Sequence, residues 1–125
     1  MPALPLLPNY IFTTPASVIR AVLIPSAYGQ EYDWAHATVT DITGSAVISP
    51  LSATETGSEA DSTYTQTHFV FLALPTVDIV ATDRVSFNPG NGLITTFVDG
   101  DPFVWSDQIG RPHHIEARLK ILIGV

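Results

Sequence analysis

The residues with the clearest chemical potential cluster near the C-terminus, where His113 and His114 are adjacent and Glu116 follows two positions later. On a strand, neighbouring side chains leave by opposite faces, so this reading sends the two imidazoles apart and leaves His114 with Glu116. A definite metal site needs about three or four convergent ligands, and the expectation here is an ordinary strand-edge histidine beside a solvated carboxylate, with no metal. Asp99, Asp101 and Asp107 around Gly100 superficially suggest a calcium loop. That pattern requires a loop of about a dozen residues closed by a bidentate glutamate, and none follows. Ser106 lies near His113 in sequence, but there is no cysteine and no Gly-x-Ser-x-Gly elbow to make a nucleophile. Carboxylate pairs of the glycosidase kind meet only in three dimensions and cannot be read from spacing. Neither a glycine-rich phosphate loop nor a basic-aromatic stripe is present. The residues therefore predict no enzyme, no cofactor and no catalytic residue. Trp34, Trp105, Phe97, Phe103, Tyr28 and Tyr32 could form a stacking platform, yet Phe103 and Trp105 share a strand face, as core or interface pairs do.

The elements that carry these residues read as strands. Prolines at 2, 5, 8, 15, 25, 50, 75, 89, 102 and 112 leave few windows for a helix. The segments between them are rich in Val, Ile, Thr and aromatics. The clearest strand is the last, with Ile115, Ala117, Leu119, Ile121 and Ile123 alternating against Glu116, Arg118 and Lys120. Upstream, Leu93 to Val98 and Asp101 to Trp105 flank Asp99-Gly100, a dipeptide favoured in tight type I′ turns, which predicts a hairpin or an interface at Asp99, Gly100 and Asp101. Further strands are predicted at Val18 to Ile24, Ala35 to Ile42, Ser45 to Ser49, Thr63 to Leu74, Val77 to Ala81 and Arg84 to Phe87. Thr43-Gly44 joins the second of these to the third, and a single helical turn fits Pro15 to Val18. The fold class is mainly β: a single small antiparallel β-barrel or sandwich with an extended N-terminal arm and a long inserted loop.

Two segments differ from the rest. Residues 1–14 form a proline-rich arm whose Leu4, Leu6, Leu7 and Tyr10 need cover, with a neighbouring subunit as the natural source. The β domain then runs over 15–125 and contains a Ser/Thr/Ala/Gly-rich loop at 50–62 with Glu55, Glu59 and Asp61 but no Lys or Arg.

With 125 residues the chain suits one domain. Hydrophobic residues make up 46% and charged residues 14%, a surface-poor composition that suggests partners cover part of it. A net charge of −7 disfavours a phosphate clamp, since counterion release needs surplus Lys and Arg. Without cysteine, the core holds by packing alone. The N-terminus lacks a cationic start and no run is long enough to span a membrane, so the expectation is synthesis in the cytoplasm without export.

Arg84-Val85-Ser86-Phe87, then Leu93 to Val98, Asp99-Gly100-Asp101-Pro102-Phe103-Val104-Trp105, and Arg118 to Gly124 together resemble the C-terminal half of tailed-bacteriophage head-to-tail stopper proteins, also called head-closure or head-completion proteins. Members of that family read as a short strand, a strand entering a Val-x-Gly-x-Pro-like hairpin, a Trp-containing strand, a Gly-bearing loop and a terminal strand ending in Gly. The match covers about a third of the chain, and such strand patterns recur on many β folds. The resemblance implies a small barrel assembling as a ring of roughly six or twelve copies at the head-tail junction of the virion. Portal and adaptor proteins would lie above it and a tail terminator or tail tube below. The ring would retain packaged DNA by steric and electrostatic exclusion, the 50–62 loop narrowing the channel with Glu55, Glu59 and Asp61. The alternatives are another virion β module, such as a tail terminator, tail tube or capsid decoration protein, and a free ligand-binding β-sandwich.

Overall fold

The computed structural model describes residues 12–56, 63–90 and 92–122, and every regular element among them is a strand. In chain order these are β1 (Ala16–Ser26), β2 (Gly29–Asp41), β3 (Ala46–Thr56), β4 (Thr63–Ala73), β5 (Arg84–Phe87), β6 (Ile94–Val98), β7 (Phe103–Ser106) and β8 (Pro112–Ile121). They form one antiparallel sheet in the order β2-β1-β5-β6-β8-β4-β3, with β7 also paired to β8. The mainly β fold class read from the residues is what the chain adopts.

The sheet is open and folds back on itself as a sandwich does. Its end strands β2 and β3 are consecutive in the chain, joined by residues 42–45, yet they do not pair. Phe69 of β4 and Phe87 of β5 meet edge to face with ring centroids 5.0 Å apart, although β8 and β6 separate them in the strand order. Contact across that interval requires the inner face to oppose itself. At the seam, the backbone N–H of Thr14 donates to the Ala46 carbonyl at 3.1 Å, and the Ile48 N–H donates to Thr14 Oγ1 at 3.0 Å. Phe12, within the predicted arm, is buried.

Alternation fills the core. Ile115, Ala117 and Leu119 of β8 point inward with Phe69, Phe71 and Ala73 of β4, Val85 and Phe87 of β5, and Ala16 and Val18 of β1. Thr96, fully covered in this apolar setting, satisfies its hydroxyl by donating to the Val85 carbonyl at 2.9 Å.

Several expectations need correction. The Asp99-Gly100 hairpin does not form: β6 and β7 both run antiparallel to β8 along the same edge, with Val98 opposite Leu119 and Phe103 opposite Glu116. Residues Asp99 to Pro102 therefore face only Ala117 and Arg118, an enlarged bulge. The Asp99 N–H still donates to the Arg118 carbonyl at 2.8 Å, and Gly100 supplies a φ of +90 that a residue with a Cβ resists. A turn-favouring dipeptide marks positive φ, and a bulge needs it as much as a hairpin does.

Residues 50–56 of the predicted 50–62 loop are strand, and residues 57–62 lie outside those described. β3 continues to Thr56 and β4 begins at Thr63, pairing Glu55 with Tyr64, because Thr-rich sequence satisfies its backbone better in a ladder than in solvent. Pro50 is tolerated since β3 pairs only with β4 and is an edge. The strand predicted at Val77 to Ala81 does not form: residues 77–80 pair with no strand and Ala81 lies in a turn, while Val77 and Ile79 enter the core and Asp78 and Val80 are exposed. The helical turn at Pro15 to Val18 is instead the start of β1.

Candidate functional site

The most distinctive surface is built by the β1–β2 hairpin. Its inner half pairs Ser17–Arg20 with Thr38–Asp41, and its outer half pairs Val22–Ser26 with Gly29–Asp33. Between them lies an irregularity in which Trp34 to Ala37 face only Ala21. Asp33 organises this break: the Ala35 N–H donates to Oδ1 at 3.1 Å, and His36 Nδ1 lies 2.6 Å from Oδ2. The His36 contact holds the Asp33 carboxyl below the usual carboxylate range. β5 pairs with β1 only along Ala16–Ile19, so the outer half pairs with no other strand.

That outer ribbon carries apolar side chains on both faces. Ladder partners share a face, so Val22 and Ile24 sit with Asp33 and Glu31, while Leu23 and Pro25 sit with Tyr32 and Gln30. Val22, Leu23 and Tyr32 are each about half exposed (48%, 51% and 46%), and Tyr28 at the tip is fully exposed. A two-stranded ribbon is at best marginally stable alone in water, so these side chains favour a covered state. At the root, Trp34 packs under the Arg84 guanidinium, 3.6 Å from its ring centroid.

A second surface lies on β7 and β8. Trp105 pairs with His114, whereas the next β7 residue, Ser106, pairs with Pro112, so His113 is an extra residue in β8. This bulge turns the two imidazoles toward each other, their Nδ1 atoms 2.7 Å apart, and corrects the expectation that they diverge. At that distance one nitrogen donates and the other accepts. Desolvation, then the neighbouring His113, lowers the His114 pKa, while Glu116 opposes the shift. Trp105 stacks on His114 at 6.2 Å and 14°, and donates its Nε1–H to Glu116 Oε2 at 2.8 Å. Phe103 meets Trp105 edge to face at 4.9 Å. Phe103, Val104 and Trp105 remain about half exposed, and Phe103 and Trp105 line a shallow cleft of about 300 Å³ with Asp99, Asp101 and Arg118.

A third arrangement is structural. Arg20 Nε and Nη2 donate to the two oxygens of Asp83 at 2.9 and 2.8 Å, and Nη1 and Nη2 to those of Asp78 at 2.8 and 3.2 Å. Asp83 is buried and also accepts the Val80 N–H at 2.9 Å. The twin carboxylates raise the Arg20 pKa, and Arg20 lowers that of Asp78. An open groove of about 520 Å³ runs past Arg20 and Asp78, walled by Thr38, Thr40 and Val77. Every polar atom of the Arg20–Asp83 contact is used internally, so it braces β1 against the turn before β5.

Of the residues predicted to matter, Asp99, Gly100 and Asp101 form the exposed bulge, and Glu55 lies on β3. Glu59, Asp61, Leu4, Leu6, Leu7 and Tyr10 lie outside the described residues. No group of three or more His, Cys, Asp or Glu side chains among the described residues could hold a metal ion. The outer ribbon and the converging imidazoles escaped the sequence reading. The only signal for the first was the uncharged turn Ser26-Ala27-Tyr28-Gly29, and the second depends on a bulge with no letter code. No protein-family model, curated protein or solved structure matches the chain.

Proposed function

We propose that this protein is a structural subunit of a phage head-to-tail connector, a ring that helps retain packaged DNA and docks the tail. The observation that carries the reading is the outer β1–β2 ribbon, which projects from the sheet with apolar side chains exposed on both faces and so calls for neighbouring chains to cover it. Among the described residues, β2 and β7 each pair along one side only, and their other sides add open backbone donors and acceptors along the same molecule. The chain order of the last third (a short strand, a second strand, a Trp-bearing strand and a terminal strand), through its resemblance to stopper proteins, directs this general assembly reading toward the head-tail junction, although the hairpin of that pattern is a bulge here. Within a ring the β3–β4 hairpin, with Glu55 on β3 and Glu59 and Asp61 between the strands, reaches toward the axis and repels DNA phosphates.

The discriminating experiment is disruption of the reading frame in the virus genome that carries it. The expected result is filled heads and finished tails that fail to join, with heads losing DNA. Normal tailed, infectious particles contradict the proposal. Removing residues 57–62 alone should increase DNA leakage from filled heads, and unchanged retention defeats the channel role. The exposed Phe103–Trp105 pair and its cleft favour the second reading, a free ligand-binding β-sandwich. That module would stay monomeric and leave virion assembly untouched.

A further inference from the structure

Resting on the ring reading, we infer that the outer β1–β2 ribbon of one copy docks on the outer face of β8 of the next, its Glu31 meeting Arg118 and Lys120. The chain carries only five Lys and Arg residues against twelve Asp and Glu. Arg20 is bound to Asp78 and Asp83, Arg111 to Asp107, and Arg84 lies over Trp34. Arg118 and Lys120 take part in none of the ion pairs formed among the described residues, and both are exposed. They alternate outward along β8, where Ala117 and Leu119 turn into the core.

Their cross-strand partners make this face amphipathic. Arg118 lies opposite Val70 of β4, and Lys120 lies between His68 of β4 and Phe97 of β6. Val70 and Phe97 are only partly covered. One face of the ribbon has the complementary make-up: Val22 and Ile24 with Glu31 and Asp33, in a stretch from Ala21 to Asp33 that contains no Lys or Arg. Asp33 is committed to Ala35 and His36, which leaves Glu31 as the exposed acid. Apolar surface then meets apolar surface and acid meets base, between two different patches of identical chains. Such a head-to-tail contact propagates, and it closes into a ring when the rotation permits. Two acidic copies repel overall, so an attractive local match is what lets them approach in one orientation. Asp99, Asp101 and Glu116 share the cleft beside Arg118, so Lys120 is the less countered of the two cations.

Salt screens both the general repulsion and the local attraction, so a salt titration cannot isolate this contact, whereas a charge exchange can. Self-association of the full chain is measured by sedimentation velocity from micromolar to about 0.5 mM at ~0.15 M salt. The variants are E31K, R118E/K120E and their combination, and thermal melts check that each stays folded. The expected result is a wild-type chain that associates, about tenfold weakening in each charge variant, and a combined variant at least about tenfold tighter than the separate losses predict. Strictly additive losses in a chain that still forms rings overturn this contact and leave the ring reading standing. A wild-type chain monomeric throughout the range also overturns it. Failure of the ring reading itself shows elsewhere, as normal tailed particles after the reading frame is disrupted.

Discussion

At the scale of single residues, Asp83 is the side chain on which most depends. It is buried, accepts two hydrogen bonds from Arg20 and one from the Val80 backbone, and among the described residues Arg20 is the cation that pairs with it. Replacing Arg20 with Met strands that carboxylate, and the expected loss is about 3 kcal/mol or more, read from chemical denaturation. His114 gives a second test, through pH. Its folded pKa lies below the unfolded value of about 6.5, so the unfolded chain takes up a proton first as pH falls. Stability from this group is therefore complete above about pH 6.5 and declines as pH drops toward the lowered folded value. The slope of melting temperature between about pH 7.5 and 5 should flatten in His114→Gln; an unchanged slope assigns the dependence to other groups. Neither residue's role was legible in the letters. Asp83 looks like any acid in a turn, and only three-dimensional closeness to Arg20, more than sixty positions away, makes it a brace.

At the scale of elements, alternation told most of the story. The last strand, β4 and β5 appear where their apolar periodicity put them, since burying one face sets the register of a strand. What failed was connection. Asp99-Gly100 reads as a hairpin because local letters report a need for positive φ, but whether the chain then reverses or continues depends on the partner strand, here β8. Residues 50–56 read as loop because Ser and Thr lack apolar contrast, although strand pairing asks only for satisfied backbone. The outer ribbon has a prediction of its own at this scale. In the dissociated chain, amides of Val22–Asp33 should exchange with solvent far faster than those of β8, and they should become protected on assembly. Equal protection in both states would mean the ribbon needs no cover.

At the scale of the whole molecule, one inner face of a folded-over sheet provides the core, centred on Phe71 and Leu119. Phe71→Ala should cost about 3–5 kcal/mol, a large share of the roughly 5–15 kcal/mol available to such a domain, and should lower the melting temperature sharply. Among the described residues, the exposed ribbon apolars, the open sides of β2 and β7, and Arg118 and Lys120, which enter no ion pair, lie outside that core; on the proposed reading they are what copies of the chain would cover. The composition, apolar yet acidic, pointed to covered surface without saying which surface. Electron-microscopic averaging of the native assembly tests this account most directly. The account predicts a closed ring of roughly six or twelve copies around an open channel, with each ribbon seated on its neighbour. Isolated single chains, or a closed particle without a channel, would contradict it.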